Sequence, residues 1–147
     1  MYVLEESIDI DASPADVWAV LSDLPAWRDW QGFIKHESGE ATVGASLDVT
    51  LEPPGGRKVR FTPVVTVATP DRELTWHTRM MAGLFDARHS FLIQTDDSGR
   101  TRFVQREEFR GGFTWLLRAM GELTKGAAGF RYFNTGLKAR VESAQPT

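Results

Sequence analysis

The stretch FTWLLRAMGELTKGAAGFRYFNTGLKARVES, Phe113 to Ser143, decides the fold. Leu116, Met120, Leu123, Ala127, Phe130, Asn134, Leu137 and Val141 recur in alternating steps of three and four. That spacing is the apolar stripe of a helix laying one face on a core. Arg118, Glu122, Lys125, Arg131, Lys138, Arg140 and Glu142 take the opposite, water-facing side. Gly121, Gly126, Gly129 and Gly136 interrupt the run, and each costs a helix interior about 1 kcal/mol relative to Ala. The reading predicts a break between Lys125 and Gly129 and a firm covering helix from about Gly129 to Glu142.

Working outward, the preceding chain is mostly strands. The spacing predicts a first strand over Val3 to Ile10, where Ile8 and Ile10 alternate with acidic residues. Ser13-Pro14-Ala15-Asp16 then opens a helix. Ser is a preferred N-cap, Pro fits the first helical position, and Asp three residues after the cap suits the helix dipole. A second short helix carries Trp27 and Trp30. Six more strands are expected, over Phe33–Ser38, Ala45–Glu52, Lys58–Val67, Glu73–Met80, Phe85–Thr95 and Arg100–Arg110. Pro63 lacks an N–H and requires a bulge or an edge within the third of these. The resulting class is α+β: a seven-stranded curved antiparallel sheet wrapped around a long C-terminal helix, with two short helices after the first strand.

Length and composition narrow the function. The chain has 147 residues, one domain by the usual prior and enough for one sizeable core. Nine Phe and five Trp against two Tyr favour a roomy interior lined by rings. Cysteine is absent, which excludes disulfides, thiolate metal sites and thiol nucleophiles, and suits a cytoplasmic setting. Acidic Glu5, Glu6 and Asp9 occupy the place where a signal peptide would be basic and then apolar. A net charge of −3 with scattered Arg and Lys argues against nucleic acid. No run approaches the roughly 20 apolar residues of a membrane span.

Four stretches carry a family pattern: Ile8-Asp9-Ile10-Asp11-Ala12-Ser13-Pro14-Ala15-Asp16-Val17-Trp18 with Asp23-Leu24 leading to Trp27 and Trp30, then His89-Ser90-Phe91, Glu107-Glu108-Phe109-Arg110-Gly111, and the closing Asn134-Thr135-Gly136-Leu137-Lys138-Ala139-Arg140-Val141-Glu142. In these, over almost its whole length, the chain resembles the START-like, or helix-grip, superfamily (SRPBCC), and within it the polyketide cyclase/dehydrase-like branch. The resemblance implies a sheet gripping the C-terminal helix, with a cavity between them. It identifies a scaffold shared by carriers, enzymes and interaction modules, so function must be argued from the site.

Candidate residues follow from the hairpin over Asp96-Asp97-Ser98-Gly99. A turn centred on Ser98 sets Ile93 opposite Phe103, Phe91 opposite Gln105 and His89 opposite Glu107. Period-two alternation places all six on one side, with Phe109 extending the row. A His and a Glu facing each other there can form a charge-assisted hydrogen bond. The carboxylate would raise the imidazole pKa, while burial would lower it. The pair is read three ways: a core contact that fixes register, a polar anchor for a ligand, or a general acid/base. Asn134 interrupts an apolar stripe and needs hydrogen-bond partners, from the sheet or from a ligand. Trp76 is assigned to the cavity side of its strand. Trp27 and Trp30 are read as packing, with a gate as the functional alternative.

The expected ligand-binding set is therefore Trp76, His89, Phe91, Phe103, Gln105, Glu107, Phe109, Leu123, Phe130 and Asn134. His89 and Glu107 are the catalytic candidates. His36, His77 and His89 show no metal-ligand spacing, and no cofactor motif is present. The leading function is binding of a small hydrophobic, ring-containing molecule, as carrier or sensor. A polyketide cyclase/dehydratase-type enzyme and a protein-interaction module are the alternatives. A homodimer is left open.

Overall fold

The computed structural model describes residues 1–144, so the last three residues of the expected 1–147 domain lie outside the described residues. The element order is β1 (Tyr2–Ile10), α1 (Pro14–Leu21), a 3-10 helix (Leu24–Asp29), β2 (Ile34–Ser38), β3 (Asp48–Leu51), β4 (Val59–Phe61) and β5 (Val64–Thr69). Then come β6 (Glu73–Met80), a 3-10 turn (Met81–Gly83), β7 (Phe85–Thr95), β8 (Thr101–Arg110), α2 (Phe113–Ala119) and α3 (Glu122–Ser143). The class is α+β, with curved antiparallel sheet covered by the C-terminal helix.

One seven-stranded sheet is not what forms. The strands make a five-stranded sheet in the order β1-β8-β7-β6-β5 and a three-stranded sheet in the order β2-β3-β4. Pro63 is the physical reason. The span expected as one strand over Lys58–Val67 ends at Phe61 and restarts at Val64, changing partner from β3 to β6 on the way. A residue without an N–H cannot continue a ladder through its own position. The two sheets are laced together beside this break. Leu47 N donates to Pro63 O at 2.8 Å and Val65 N donates to Ala45 O at 2.9 Å. That lacing also shortens the expected Ala45–Glu52 strand to Asp48–Leu51.

The β7–β8 hairpin has the expected register, with His89 opposite Glu107, Phe91 opposite Gln105 and Ile93 opposite Phe103. Asp96 fixes its turn by accepting from the backbone N–H of Ser98 and Arg100 at 3.0 and 2.9 Å. At α1, the Ser13 hydroxyl accepts from Asp16 N at 3.2 Å, as the cap sequence predicts.

The C-terminal helix differs from expectation in where it breaks. Gly121, at φ 77°, takes the left-handed conformation between α2 and α3, and α3 then runs unbroken for 22 residues. The turn rephases the stripe, leaving Met120 60% exposed while Leu123, Phe130, Phe133, Leu137 and Val141 are buried. Phe133, absent from the expected stripe, is fully buried. Gly129 does not break the helix; it admits a neighbour. A Cβ there would lie 2.4 Å from the Phe33 ring, closer than atoms can approach. Polar ties lock α3 onto β1: Lys138 Nζ donates to Asp9 O at 2.8 Å, and Arg131 donates to the Glu6 carboxylate at 2.7 Å.

Candidate functional site

A cavity of about 270 Å³ lies between the sheets and the N-terminal half of α3. Alternation along the strands decides what lines it. Trp76 and Thr78 come from β6, Phe85, Ala87 and His89 from β7, and Glu107 and Phe109 from β8. Phe113 and Leu117 of α2 and Leu123, Gly126 and Phe130 of α3 form the facing wall. The β3–β4 hairpin closes a side with Val49, Leu51, Pro53, Val59 and Phe61, and Leu4 and Phe33 complete it. Arg57 and Glu122 also line the cavity. Arg57 is exposed and the Glu122 side chain is 28% exposed, which places this charged pair of residues at the mouth.

Of the expected ligand-binding set, Trp76, His89, Glu107, Phe109, Leu123 and Phe130 line this cavity. Phe91, Phe103, Gln105 and Asn134 do not. They sit one layer deeper, where Phe91 meets Trp27 and Phe133 at ring-centroid distances of 5.4 Å in each case. Trp27 is fully buried and donates its indole N–H to Leu21 O at 2.8 Å. Neither Trp27 nor Trp30 lines the cavity, so both pack behind it. The wall contributed by the β3–β4 hairpin and α2 escaped the sequence reading. Alternation sets Val49 and Leu51 on one face of their strand, but that this face, Val59, Phe61, Phe113 and Leu117 meet at the cavity is decided by the tertiary fold.

His89 occupies the inner end of the cavity, stacked on Phe91 at 4.4 Å and 14° and tilted against Phe130 at 5.0 Å. Its polar contacts run in two directions. Nε2 lies 2.8 Å from Gln105 Oε1, while Nδ1 lies 3.5 Å from Glu107 Oε2. Gln105 Nε2 donates to Asn134 Oδ1 at 2.9 Å, and Asn134 Nδ2 donates to Glu6 O at 3.2 Å.

These contacts fix every proton along the line. The Glu6 carbonyl can only accept, so the Asn134 amide must point its N–H₂ there and its oxygen at Gln105. Gln105 then offers its oxygen to His89, which must carry its proton on Nε2. In the neutral ring this leaves the Nδ1 lone pair facing Glu107. Of the two opposed influences expected on this histidine, burial is the stronger. It lowers the His89 pKa to about 4, with the Gln105 bond offsetting it only in part. Burial also pushes the Glu107 carboxyl up to about 8. The expected charge-assisted pair is therefore an uncharged pair at neutral pH, because neither group has a nearby countercharge strong enough to offset its desolvation.

Outside the cavity, His77 bonds Asp86 at 2.7 Å and His36 bonds the Gly39 carbonyl at 2.6 Å. Among the described residues no cluster of three or more His, Cys, Asp or Glu side chains is placed to hold a metal ion. Among them no helix is long and apolar enough to cross a membrane.

Sequence comparison places the chain in a family. The profile of the family described as "Polyketide cyclase / dehydrase and lipid transport" matches residues 1–142. The chain belongs to this family. Solved structures agree on the fold. TTHA0849 from Thermus thermophilus superposes with a TM-score of 0.73 at 18% identity, over 99% of this chain and 100% of that one. MLL2253 from Mesorhizobium loti gives 0.70 at 15% identity, over 99% and 100% of the two chains. DynU16, a protein of the dynemicin biosynthetic locus, gives 0.69 at 19% identity, over 98% of this chain and 48% of that one. No curated protein matches the sequence. At these identities the neighbours inform the architecture of this polyketide cyclase/dehydrase family member and leave its ligand to be argued from the cavity.

Proposed function

We propose that this family member binds a small hydrophobic, ring-containing molecule in the cavity between the sheets and α3, as a carrier or sensor. The supporting observation is the lining itself. Trp76, Phe33, Phe61, Phe85, Phe109 and Phe130 present aromatic faces, and His89 and Glu107 supply polar groups at the inner end. Apolar walls with a few converging polar groups are what small-molecule sites require. The volume of about 270 Å³ lies just below the roughly 300–1,000 Å³ range of such sites and restricts the cavity to a compact ligand of few rings. Native mass spectrometry of freshly purified protein tests this reading through co-purified ligand. Quenching or shift of Trp76 emission by added bicyclic aromatics tests it directly. Tryptophan emission that stays unchanged in wild type, and equally in a Trp76→Phe control, would count against it.

The second reading is cyclase/dehydratase catalysis, with His89 and Glu107 as the acid/base pair. It is favoured by their adjacency inside the cavity and by pKa values that burial displaces in opposite directions, His89 down to about 4 and Glu107 up to about 8. A general acid or base works best with a pKa near the working pH, and Glu107 approaches that condition. Turnover of a poly-β-ketone substrate that vanishes in Glu107→Gln while binding persists would select this reading over the first.

A further inference from the structure

We propose that Glu107 serves as an uncharged hydrogen-bond donor to the occupant of the cavity, so that the site selects apolar ring molecules bearing a carbonyl oxygen and rejects the matching carboxylates. The inference rests on the cavity-binding reading above and specifies the polar group that its ligand must carry.

The hydrogen-bond line behind the cavity supplies the first argument. Glu6 O, Asn134, Gln105 and His89 commit the imidazole proton to Nε2, on the side away from Glu107. His89 then offers Glu107 a lone pair, an acceptor for a carboxyl hydrogen, but from 3.5 Å, longer than a formed hydrogen bond. Among the described residues no hydrogen bond reaches the Glu107 carboxyl. Its side chain keeps 15% exposure and lines the cavity. A carboxyl hydrogen at this place has that distant lone pair on one side and the occupant of the cavity on the other, and it turns to whichever acceptor comes within hydrogen-bond distance. A carbonyl oxygen is such an acceptor.

Charge supplies the second argument. The titratable groups lining the cavity are His89 from β7, Glu107 from β8, Arg57 from the β3–β4 hairpin and Glu122 from α3. β6, α2 and β1 contribute Trp76, Thr78, Phe113, Leu117 and Leu4, none of which carries charge. A carboxylate brought to the inner end would meet a neutral imidazole and another carboxyl, with the one lining cation at the mouth. Burying an anion without a countercharge is heavily penalised. A ketone, quinone or ester has no such penalty.

The test compares three probes of similar shape: 2-ethylnaphthalene, 2-acetylnaphthalene and 2-naphthoate. Dissociation constants are measured by calorimetry on wild type, Glu107→Gln, Glu107→Leu and Arg57→Ala. Expected in wild type is a three- to tenfold advantage of the ketone over the hydrocarbon, about the value of one net hydrogen bond, with naphthoate weakest. Glu107→Gln keeps an N–H donor and should keep the advantage at every pH. Glu107→Leu should lose it while still binding 2-ethylnaphthalene, which shows that the cavity is intact. In wild type the advantage should fade as pH rises through about 8, where the carboxyl ionises.

A ketone advantage that survives Glu107→Leu overturns the proposal. So does naphthoate binding at least as tightly as the ketone, and loss of that binding in Arg57→Ala would assign the selectivity to the mouth. Equal binding of all three probes overturns the proposal alone, whereas no binding by any of them overturns the cavity reading beneath it.

Discussion

His89 makes its short polar contact with Gln105, at 2.8 Å, and holds Glu107 at 3.5 Å on its other ring nitrogen. The cross-strand neighbour is Glu107, yet the bond goes to the next inward residue along β8. The imidazole is thus tied to an amide line running through α3 to the backbone of β1, and Glu107 is left facing the cavity.

Because both groups are buried and uncharged at neutral pH, stability should depend on pH in a particular way. The His89 pKa falls from 6.5 to about 4, so the stability held by its neutral form is present above 6.5 and lost as pH falls toward 4. The Glu107 pKa rises from 4.5 to about 8, so its contribution is full below 4.5 and lost as pH climbs through 8. The two slopes oppose each other over the shared acidic range. Above 6.5 the Glu107 slope stands alone, and by linkage it removes about 2 kcal/mol between there and pH 8. Chemical denaturation at stepped pH should show this alkaline decline in wild type and a flatter curve in Glu107→Gln. An unchanged decline in the variant would show that Glu107 is not its source.

The tautomer is open to direct measurement. Nitrogen-15 NMR of the imidazole should report a neutral ring protonated on Nε2 at pH 7, remaining neutral below pH 5. Gln105→Leu should release that preference, since it removes the acceptor at 2.8 Å.

Asn134→Leu should destabilise the fold by about 1–3 kcal/mol for each buried group it strands. Those groups are the Gln105 amide, which donates to Asn134 at 2.9 Å, and the Glu6 carbonyl, which accepts from it at 3.2 Å. Thermal melts measure the loss. A neutral effect would mean that water replaces the amide.

Much of this fold was legible because alternation and helical spacing are local properties. The β7–β8 register could be counted from one turn, and so could the facing of His89 and Glu107. The positions of the two breaks could not. Pro63 announced an irregularity, but whether it bulges a strand or divides a sheet depends on which neighbours its flanks find. The α3 glycines looked like helix breakers on propensity, whereas the turn falls at Gly121 and Gly129 serves packing. The direction of the His89 bond was equally hidden, since the ring's choice between Gln105 and Glu107 is made by Asn134, 29 residues from Gln105.

Gly129→Ala tests that packing role. Propensity alone would gain about 1 kcal/mol, but the added methyl would overlap the Phe33 ring, 2.4 Å away. Overpacking of this kind costs about 1–3 kcal/mol, so a net loss in denaturation midpoint is expected. A net gain would show that Phe33 moves aside freely.

Removing the chain after Lys125 should abolish folding. It strips Phe130, Phe133, Leu137 and Val141 from the core, all of them buried. Each is worth about 1.5–3 kcal/mol, against a typical margin of about 5–15 kcal/mol that must also bear the uncovered sheet. Circular dichroism and a cooperative-melt assay decide it, and a soluble, cooperatively melting fragment would refute the expectation.

Gly126 lines the cavity without a side chain, and a Cβ placed there would stop 3.3 Å from Leu4 Cδ1. On the proposed reading, the room available to a guest would be trimmed on the helix, while the guest's polar end would be read on the β7–β8 hairpin. Size and polarity preferences would then be inherited separately in this scaffold. A graded series at position 126, from glycine to alanine to valine, would shrink the largest accepted guest step by step and leave the choice between ketone and hydrocarbon unaltered.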